Sequence, residues 1–94
     1  MIHIAIVEDD KDQRALLRTY VQNFFHECNE QITISEYSDG AAIVDQNPQG
    51  LDLILMDIDM PRMDGLEASR HIRTKDSEVL LIFITNLIQC ALDG

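Results

Sequence analysis

Short apolar runs alternate along the chain with segments whose apolar residues recur at helical spacing. Residues 3–7 form an apolar run that ends in three acids, and a helical stripe at 16–25 follows it. Residues 31–37 alternate between apolar and polar positions, which predicts a half-buried edge strand. Residues 51–56 are a nearly continuous apolar run, typical of a strand that is covered on both faces of a parallel sheet, and residues 79–84 are another apolar, β-rich run.

Between these runs lie residues that typically begin helices. Asp10 or Asp12 can cap the first helix, and a turn before residue 41 opens a short helix over 41–45. Asp64 and Glu67 fit a capping box that opens a third helix, which runs to about residue 74. A last helix is predicted after Asn86. The resulting β-α-β-α-β-α-β-α order predicts an α/β fold, a doubly wound parallel sheet with helices on both faces.

Length and charge narrow the class of protein further. The 94 residues suffice for one domain, 1–94, and no apolar run approaches the roughly 20 residues of a membrane span. The first residues lack the basic region of a signal peptide, so we expect a cytoplasmic protein. The net charge of −10 disfavours binding to nucleic acid or to anionic lipid and favours cations. Cys28 and Cys90 match no metal or redox spacing, so we interpret them as buried or idle thiols.

Acidic side chains follow the predicted strands at the edge of the sheet where such folds carry their sites. Glu8 and Asp9 follow the first strand, Asp57 and Asp59 follow the third, and Thr85 follows the fourth. Converging carboxylates repel one another unless a cation lies between them, and Mg²⁺ prefers such hard oxygen ligands. The sequence therefore predicts a metal-assisted, phosphate-handling site. A carboxylate can itself accept a phosphoryl group, and Asp57 directly follows a buried strand.

Three segments carry a resemblance to a known family: residues 4–10 (IAIVEDD), 53–66 (LILMDIDMPRMDGL) and 81–86 (LIFITN). The chain resembles, from end to end, the receiver domain of bacterial two-component response regulators. The resemblance implies a flavodoxin-like α/β/α fold with strand order 2-1-3-4, Mg²⁺ or Mn²⁺ as cofactor, and a sensor histidine kinase as partner. It also implies a DNA-binding output domain outside this chain, and the pair Thr85-Asn86 is similar to the LytTR subfamily.

The resemblance also assigns roles to individual residues. Asp57 would be the phospho-acceptor, and Asp9 would be the direct Mg²⁺ ligand. Glu8 would act on the metal through water, and Asp59 would contribute its backbone carbonyl. Thr85 would be the hydroxyl that follows the phosphoryl group when the domain switches.

The chain departs from the family pattern at its end. The resemblance implies a fifth strand, which ends in a lysine that pairs with the phosphoryl group, and a fifth helix, whereas this sequence stops at Gly94. We therefore expect a receiver truncated before the fifth strand, without that lysine. The strand at 79–84 would then be an exposed apolar edge, which predicts self-association through that edge.

Two other functions are compatible with parts of the pattern. Asp57-x-Asp59 after an apolar strand also resembles the nucleophile motif of haloacid-dehalogenase-type phosphatases, although Met60 and Pro61 follow it instead of Gly or Thr. A binding module without chemistry is the second alternative. An EF-hand is excluded because Pro61 occupies its fifth position, but a pseudo-receiver that is never phosphorylated stays open.

Overall fold

The structure is a computed structural model that describes residues 1–58, 60 and 62–84. Asp59, Thr85 and the helix predicted after Asn86 lie outside these residues. Strands and helices alternate along the described chain, as predicted. They are β1 (Ile2–Val7), α1 (Lys11–Glu27), β2 (Ile32–Tyr37), α2 (Gly40–Gln46), β3 (Leu53–Asp57), α3 (Gly65–Lys75) and β4 (Leu80–Ile84).

The four strands form one parallel sheet in the order β2-β1-β3-β4. This confirms the predicted doubly wound α/β fold and its strand order. In the register of β1 with its neighbours, Val7 lies beside both Tyr37 and Met56. The chain that leaves β1 therefore emerges next to the end of β3, where Asp57 is the last residue of the strand.

Two apolar layers cover the sheet, one on each face. On one face, α2 and α3 pack against β1 and β3, and on the other face α1 packs against β1 and β2. The buried residues of the first layer are Ala5, Val7, Ile43, Ile54, Met56, Met60, Ala68 and Val79. Those of the second layer are Ile4, Ile6 and Val21.

In the described residues the third strand is covered on both faces only in part, while the exposed side chains of the fourth strand agree with the exposed apolar edge expected there. Leu53 and Leu55 of β3 are only half-buried, and Leu80 and Ile82 of β4 are 57% and 43% exposed. These four side chains lie on the face that α1 covers, but α1 packs over the β1–β2 side of that face. A continuous apolar run shows that a segment is a strand but not which neighbours cover it.

The apolar stripe of α1 is split in the same way. Leu17, Val21 and Phe25 face the sheet, whereas Tyr20 and Phe24 are more than half exposed. Cys28, at the end of this helix, is exposed, so it is not the buried thiol that the sequence analysis allowed. Among the helices of the described residues, none combines the length and the apolar character needed to cross a membrane.

Aspartates cap the start of each of the three helices in the part of the chain that the structure describes. The carboxylate of Asp10 accepts hydrogen bonds from the first turn of α1, and those of Asp39 and Asp64 do so for α2 and α3. A side-chain oxygen at this position satisfies backbone N–H groups that have no partner within the helix. The caps predicted at Asp10 and Asp64 are confirmed, and each fixes a helix start directly beyond the carboxyl edge of the sheet.

Candidate functional site

Three carboxylates converge at the carboxyl edge of the sheet. Glu8 and Asp9 follow β1, and Asp57 ends the adjacent strand β3. One oxygen of each lies within 4.8 Å of an oxygen of the other two. Glu8 and Asp57 are only 6% and 4% exposed, while Asp9 is open to solvent. The three carboxylates therefore lie close together, as the sequence predicts.

The backbone around Glu8 is fixed from two sides. Its N–H donates to the carbonyl of Tyr37 on β2 (3.0 Å), and its carbonyl accepts from Nη1 of Arg14 on α1 (2.8 Å). The side chain accepts a hydrogen bond at Oε1 from the N–H of Asp10 (3.1 Å). These contacts hold Glu8 at the end of β1 with its carboxylate at the sheet edge.

The electrostatics of the cluster favour either a proton or a cation. Burial, together with the charge of Asp57 and hydrogen bonds to Asp57 and Asp9, raises the pKa of Glu8 to about 7. The N–H of Asp10 opposes this shift but does not cancel it. Near neutral pH, Glu8 therefore carries a proton for much of the time in the metal-free protein. A divalent cation between the three carboxylates would relieve the same repulsion and favour the ionised form.

The donor set fits a hard divalent cation. It offers carboxylate oxygens from two buried residues and one exposed residue, so bound water can complete the coordination from the open side. Mg²⁺ characteristically binds through one or two carboxylates and retains several waters. The residues present therefore suit a magnesium ion, which keeps part of its water shell, better than a metal ion that needs protein ligands on every side.

The start of α3 packs directly on the backbone of Asp57. Gly65, the first residue of that helix, donates its N–H to the carbonyl of Ile58 (2.9 Å). A Cβ at position 65 would collide with the carbonyl oxygen of Asp57, so only glycine allows this approach. On the other side, the N–H of Ile58 donates to the carbonyl of Ile84 at the end of β4 (3.2 Å). The chain that leaves Asp57 is therefore held between α3 and β4.

An ion pair that sequence analysis did not find lies beside this loop. Arg62 donates from Nε to Oδ2 of Asp39 (2.5 Å) and from Nη2 to Oδ1 (3.0 Å). The two residues are 23 positions apart. From its neighbours in the sequence alone, Asp39 would be interpreted as a turn or cap residue and Arg62 as part of a turn. Only the position of Asp39 before Gly40 at a helix start was visible in the sequence.

Other predicted site residues are not tested by the geometry. Asp59 and Thr85 lie outside the described residues, so their roles stay predictions. Asp64 caps α3 through the N–H of Glu67 (2.8 Å), as expected for a structural residue.

A parallel α/β sheet with three acidic side chains at the ends of two adjacent strands agrees with the resemblance of the sequence to receiver domains. The chain matches the family model described as the response regulator receiver domain over residues 4–92. The protein therefore belongs to the response regulator receiver family, which is a family of signalling domains.

Relatives within the family are similar over most of the chain. The response regulator receiver protein CpdR of Brucella abortus is 30% identical over 99% of this chain and 73% of its own length. The TorCAD operon transcriptional regulatory protein TorR of Escherichia coli is 38% identical over 88% of this chain. This chain spans only 34% of TorR, and only 15% of the fission yeast transcription factor prr1.

Solved structures agree with the fold. The response regulator protein TrrA of Thermotoga maritima, determined in complex with Mg²⁺-BeF, superposes with a TM-score of 0.77 at 29% identity, over 92% of this chain and 70% of TrrA. A solved complex of the histidine kinase ThkA with TrrA contains a chain that matches with a TM-score of 0.69 at 31% identity, over 90% of this chain and 69% of that chain.

Proposed function

We propose that this chain is a phospho-acceptor receiver that takes a phosphoryl group from a sensor histidine kinase onto Asp57. In this reaction a carboxylate oxygen of Asp57 forms a bond to phosphorus while the N–P bond of the kinase phosphohistidine breaks. The histidine leaves with the bonding electron pair and is reprotonated from solvent. The observation that carries the proposal is the convergence of Glu8, Asp9 and Asp57 within 4.8 Å at the sheet edge.

Asp57 is the best-placed acceptor of the three carboxylates. It is the last residue of a central strand and is 4% exposed, so its side chain has little freedom. Gly65 and Ile84 hold the backbone on either side of it, as described above. A rigid nucleophile lowers the entropy cost of reaching the transition state. Asp9 is exposed and Glu8 favours a proton, and both properties make them weaker nucleophiles.

Glu8, Asp9 and Asp57 would hold Mg²⁺ or Mn²⁺, and the family resemblance adds the backbone carbonyl of Asp59. The bound ion would neutralise the acidic cluster and lower its repulsion toward an incoming phosphoryl group. Glu8 would give up its proton as the ion binds, and Asp57 would keep one oxygen directed at the phosphorus. The TrrA structure with Mg²⁺-BeF supports this choice of ion.

The proposed partners follow from the relatives. A histidine kinase is supported by the complex of TrrA with ThkA, and an output domain that regulates transcription is supported by the name of TorR. Such a protein would work in the cytoplasm, and the LytTR type of output stays a prediction. Thr85 would follow the phosphoryl group, and the chain region after β4 would then change its population of states.

The test is intact mass spectrometry after incubation with acetyl phosphate and Mg²⁺. We expect the gain of one phosphoryl group in the wild type and none in Asp57→Asn. Asp64→Asn is the matched control, because it removes the same charge seven positions along the chain while asparagine still caps the helix. It should be labelled like the wild type.

Three outcomes would contradict the proposal. If labelling persists in Asp57→Asn, another residue must be the phospho-acceptor. Repeated release of phosphate from small phosphoesters, without slow decay of a labelled chain, would favour the phosphatase alternative. No labelling at all in the wild type would favour a pseudo-receiver.

A further inference from the structure

The loop between β3 and α3 is tied to the start of α2 by one side chain. Arg62, in this loop, makes the two-pronged contact with Asp39 described above, with N–O distances of 2.5 and 3.0 Å. The described residues of this loop are 58, 60 and 62–64, and the loop begins directly after Asp57. Movement of the loop backbone therefore displaces the proposed phospho-acceptor, which is joined to the loop by one peptide bond.

The carboxylate of Asp39 is well placed as an anchor. It is 6% exposed and also accepts a hydrogen bond from the N–H of Ala42 (2.8 Å), which caps α2. The Arg62 guanidinium holds the pKa of Asp39 below its usual range. The anchor is therefore ionised at every physiological pH. The Arg62 side chain, in contrast, is 61% exposed and approaches from the solvent side.

Backbone packing reinforces the same junction. A Cβ at Gly40, the first residue of α2, would collide with the carbonyl oxygen of Met63 and would lie 2.9 Å from Cβ of Ala68. The backbone of the loop therefore lies against the start of α2 one residue beyond Arg62. Two contacts therefore hold the loop near its junction with α3: Gly65 packs against Asp57, and Arg62 pairs with Asp39.

We propose that Arg62 is a positioning residue for phosphoryl transfer, which holds the β3–α3 loop against Asp39 so that Asp57 is presented in one orientation. The inference rests on the proposed function of Asp57. Arg62 itself touches neither the metal ligands nor the phosphoryl group in this account. Its effect passes through the loop backbone, and the planar guanidinium is needed because it binds both carboxylate oxygens at once.

A positioning role and a simple effect of charge predict different results when Arg62 is replaced. If Arg62 acted only as a nearby positive charge, its removal would strengthen the attraction of the acidic cluster for Mg²⁺, and lysine would replace it fully. If Arg62 positions the loop, lysine replaces it poorly, because an ammonium group cannot form the same two parallel bonds. The Mg²⁺ affinity and the maximal labelling rate therefore separate the two explanations.

The experiment measures the initial rate of labelling by acetyl phosphate at saturating Mg²⁺, at a temperature where every variant is folded. We expect Arg62→Gln to lower this rate about tenfold, because small displacements of a reacting group are costly, and Arg62→Lys to recover less than half of the loss. The matched control is Arg70→Gln, which removes the same charge from an exposed position of α3 and should stay within about twofold of wild type.

A double-mutant cycle with Asp39 tests the partner. Asp39→Asn keeps a good helix cap but loses the charged fork, so it should slow labelling as Arg62→Gln does. The double variant should then be no slower than either single variant, because the two residues act as one unit. Additive losses would overturn the inference, as would a labelling rate in Arg62→Gln or Arg62→Lys within twofold of wild type.

Hydrogen exchange separates this inference from the proposed function. Peptides that cover residues 58–64 should exchange faster in Arg62→Gln than in the wild type and in Arg70→Gln. If the wild type is never labelled, the proposed function fails, and the exchange result alone decides whether Arg62 holds the loop. Unchanged protection of the loop in Arg62→Gln would overturn the inference even if labelling slows.

Discussion

Glu8 makes the stability of the metal-free protein depend on pH in an unusual direction. Its pKa rises from 4.5 to about 7 on folding, chiefly because the side chain is buried. The folded state therefore holds a proton between these two values that the unfolded chain has already released. Stability must fall as pH rises through this interval, because the unfolded state binds fewer protons. An aspartate or glutamate in a salt bridge shows the opposite dependence.

The size of the effect follows from the shift. One pKa unit corresponds to about 1.4 kcal/mol, so a shift from 4.5 to about 7 is worth about 3 kcal/mol in total. The contribution of Glu8 is fully present below pH 4.5 and is lost as pH rises through about 7. Between about pH 5 and 8 we expect a loss of about 2–3 kcal/mol in the free energy of unfolding.

Urea unfolding in EDTA, for wild type and Glu8→Gln, measures this loss. Glutamine keeps the size and a hydrogen-bonding side chain but cannot ionise, so the acidic groups that do not interact with Glu8 cancel in the difference between the two proteins. The wild type should lose stability relative to Glu8→Gln by about 2–3 kcal/mol from pH 5 to 8. Saturating Mg²⁺ should remove most of this loss, because the ion favours the folded state with Glu8 ionised.

Parallel stability curves for the two proteins would refute the reasoning. They would mean that Glu8 titrates alike in the folded and unfolded states, so that it does not share a buried site with Asp57. If the loss in the free energy of unfolding persists unchanged in saturating Mg²⁺, the raised pKa of Glu8 would still hold, but the metal site would be refuted.

Other perturbations test separate parts of the structure. Gly40→Ala should destabilise the protein by about 1–3 kcal/mol in urea, because the new methyl group meets the Met63 carbonyl, and an unchanged midpoint would refute that packing. Asp64→Ala should cost about 1 kcal/mol through loss of the helix cap, whereas Asp64→Asn should cost little, and equal losses would argue against the cap. We expect the chain to self-associate in sedimentation at micromolar concentration through the exposed side chains of β4, and Leu80→Lys with Ile82→Lys should abolish this; a wild-type monomer would contradict it.

The position of the acidic cluster could be predicted because it follows from chain direction alone. In a parallel sheet every strand delivers its last residues to the same edge, so acids after two buried strands had to lie near one another. The pairing of Val7 with Met56 then brings Glu8 and Asp57 to adjacent positions. The helix caps were equally visible, since a cap depends on residues within three positions of it.

The extent to which α1 covers the sheet and the ion pair at the loop could not be predicted. Exposure of β4 was expected, but the apolar pattern does not show that α1 packs over β1 and β2 and leaves Leu53 and Leu55 of β3 half-buried. The contact of Arg62 with Asp39 joins two loops through the tertiary fold, and no local pattern indicates it.

The most direct test of the account is a calorimetric Mg²⁺ titration at about pH 8, above the pKa of Glu8. Wild type, Asp9→Asn and Asp57→Asn would be compared with Asp52→Asn, an exposed aspartate whose carboxylate bonds to His3 at the start of β1. We expect one ion per chain, a loss of at least about tenfold in affinity for the first two variants, and no change for Asp52→Asn. Equal Mg²⁺ affinity in all four proteins would contradict the claim that these carboxylates share one ion.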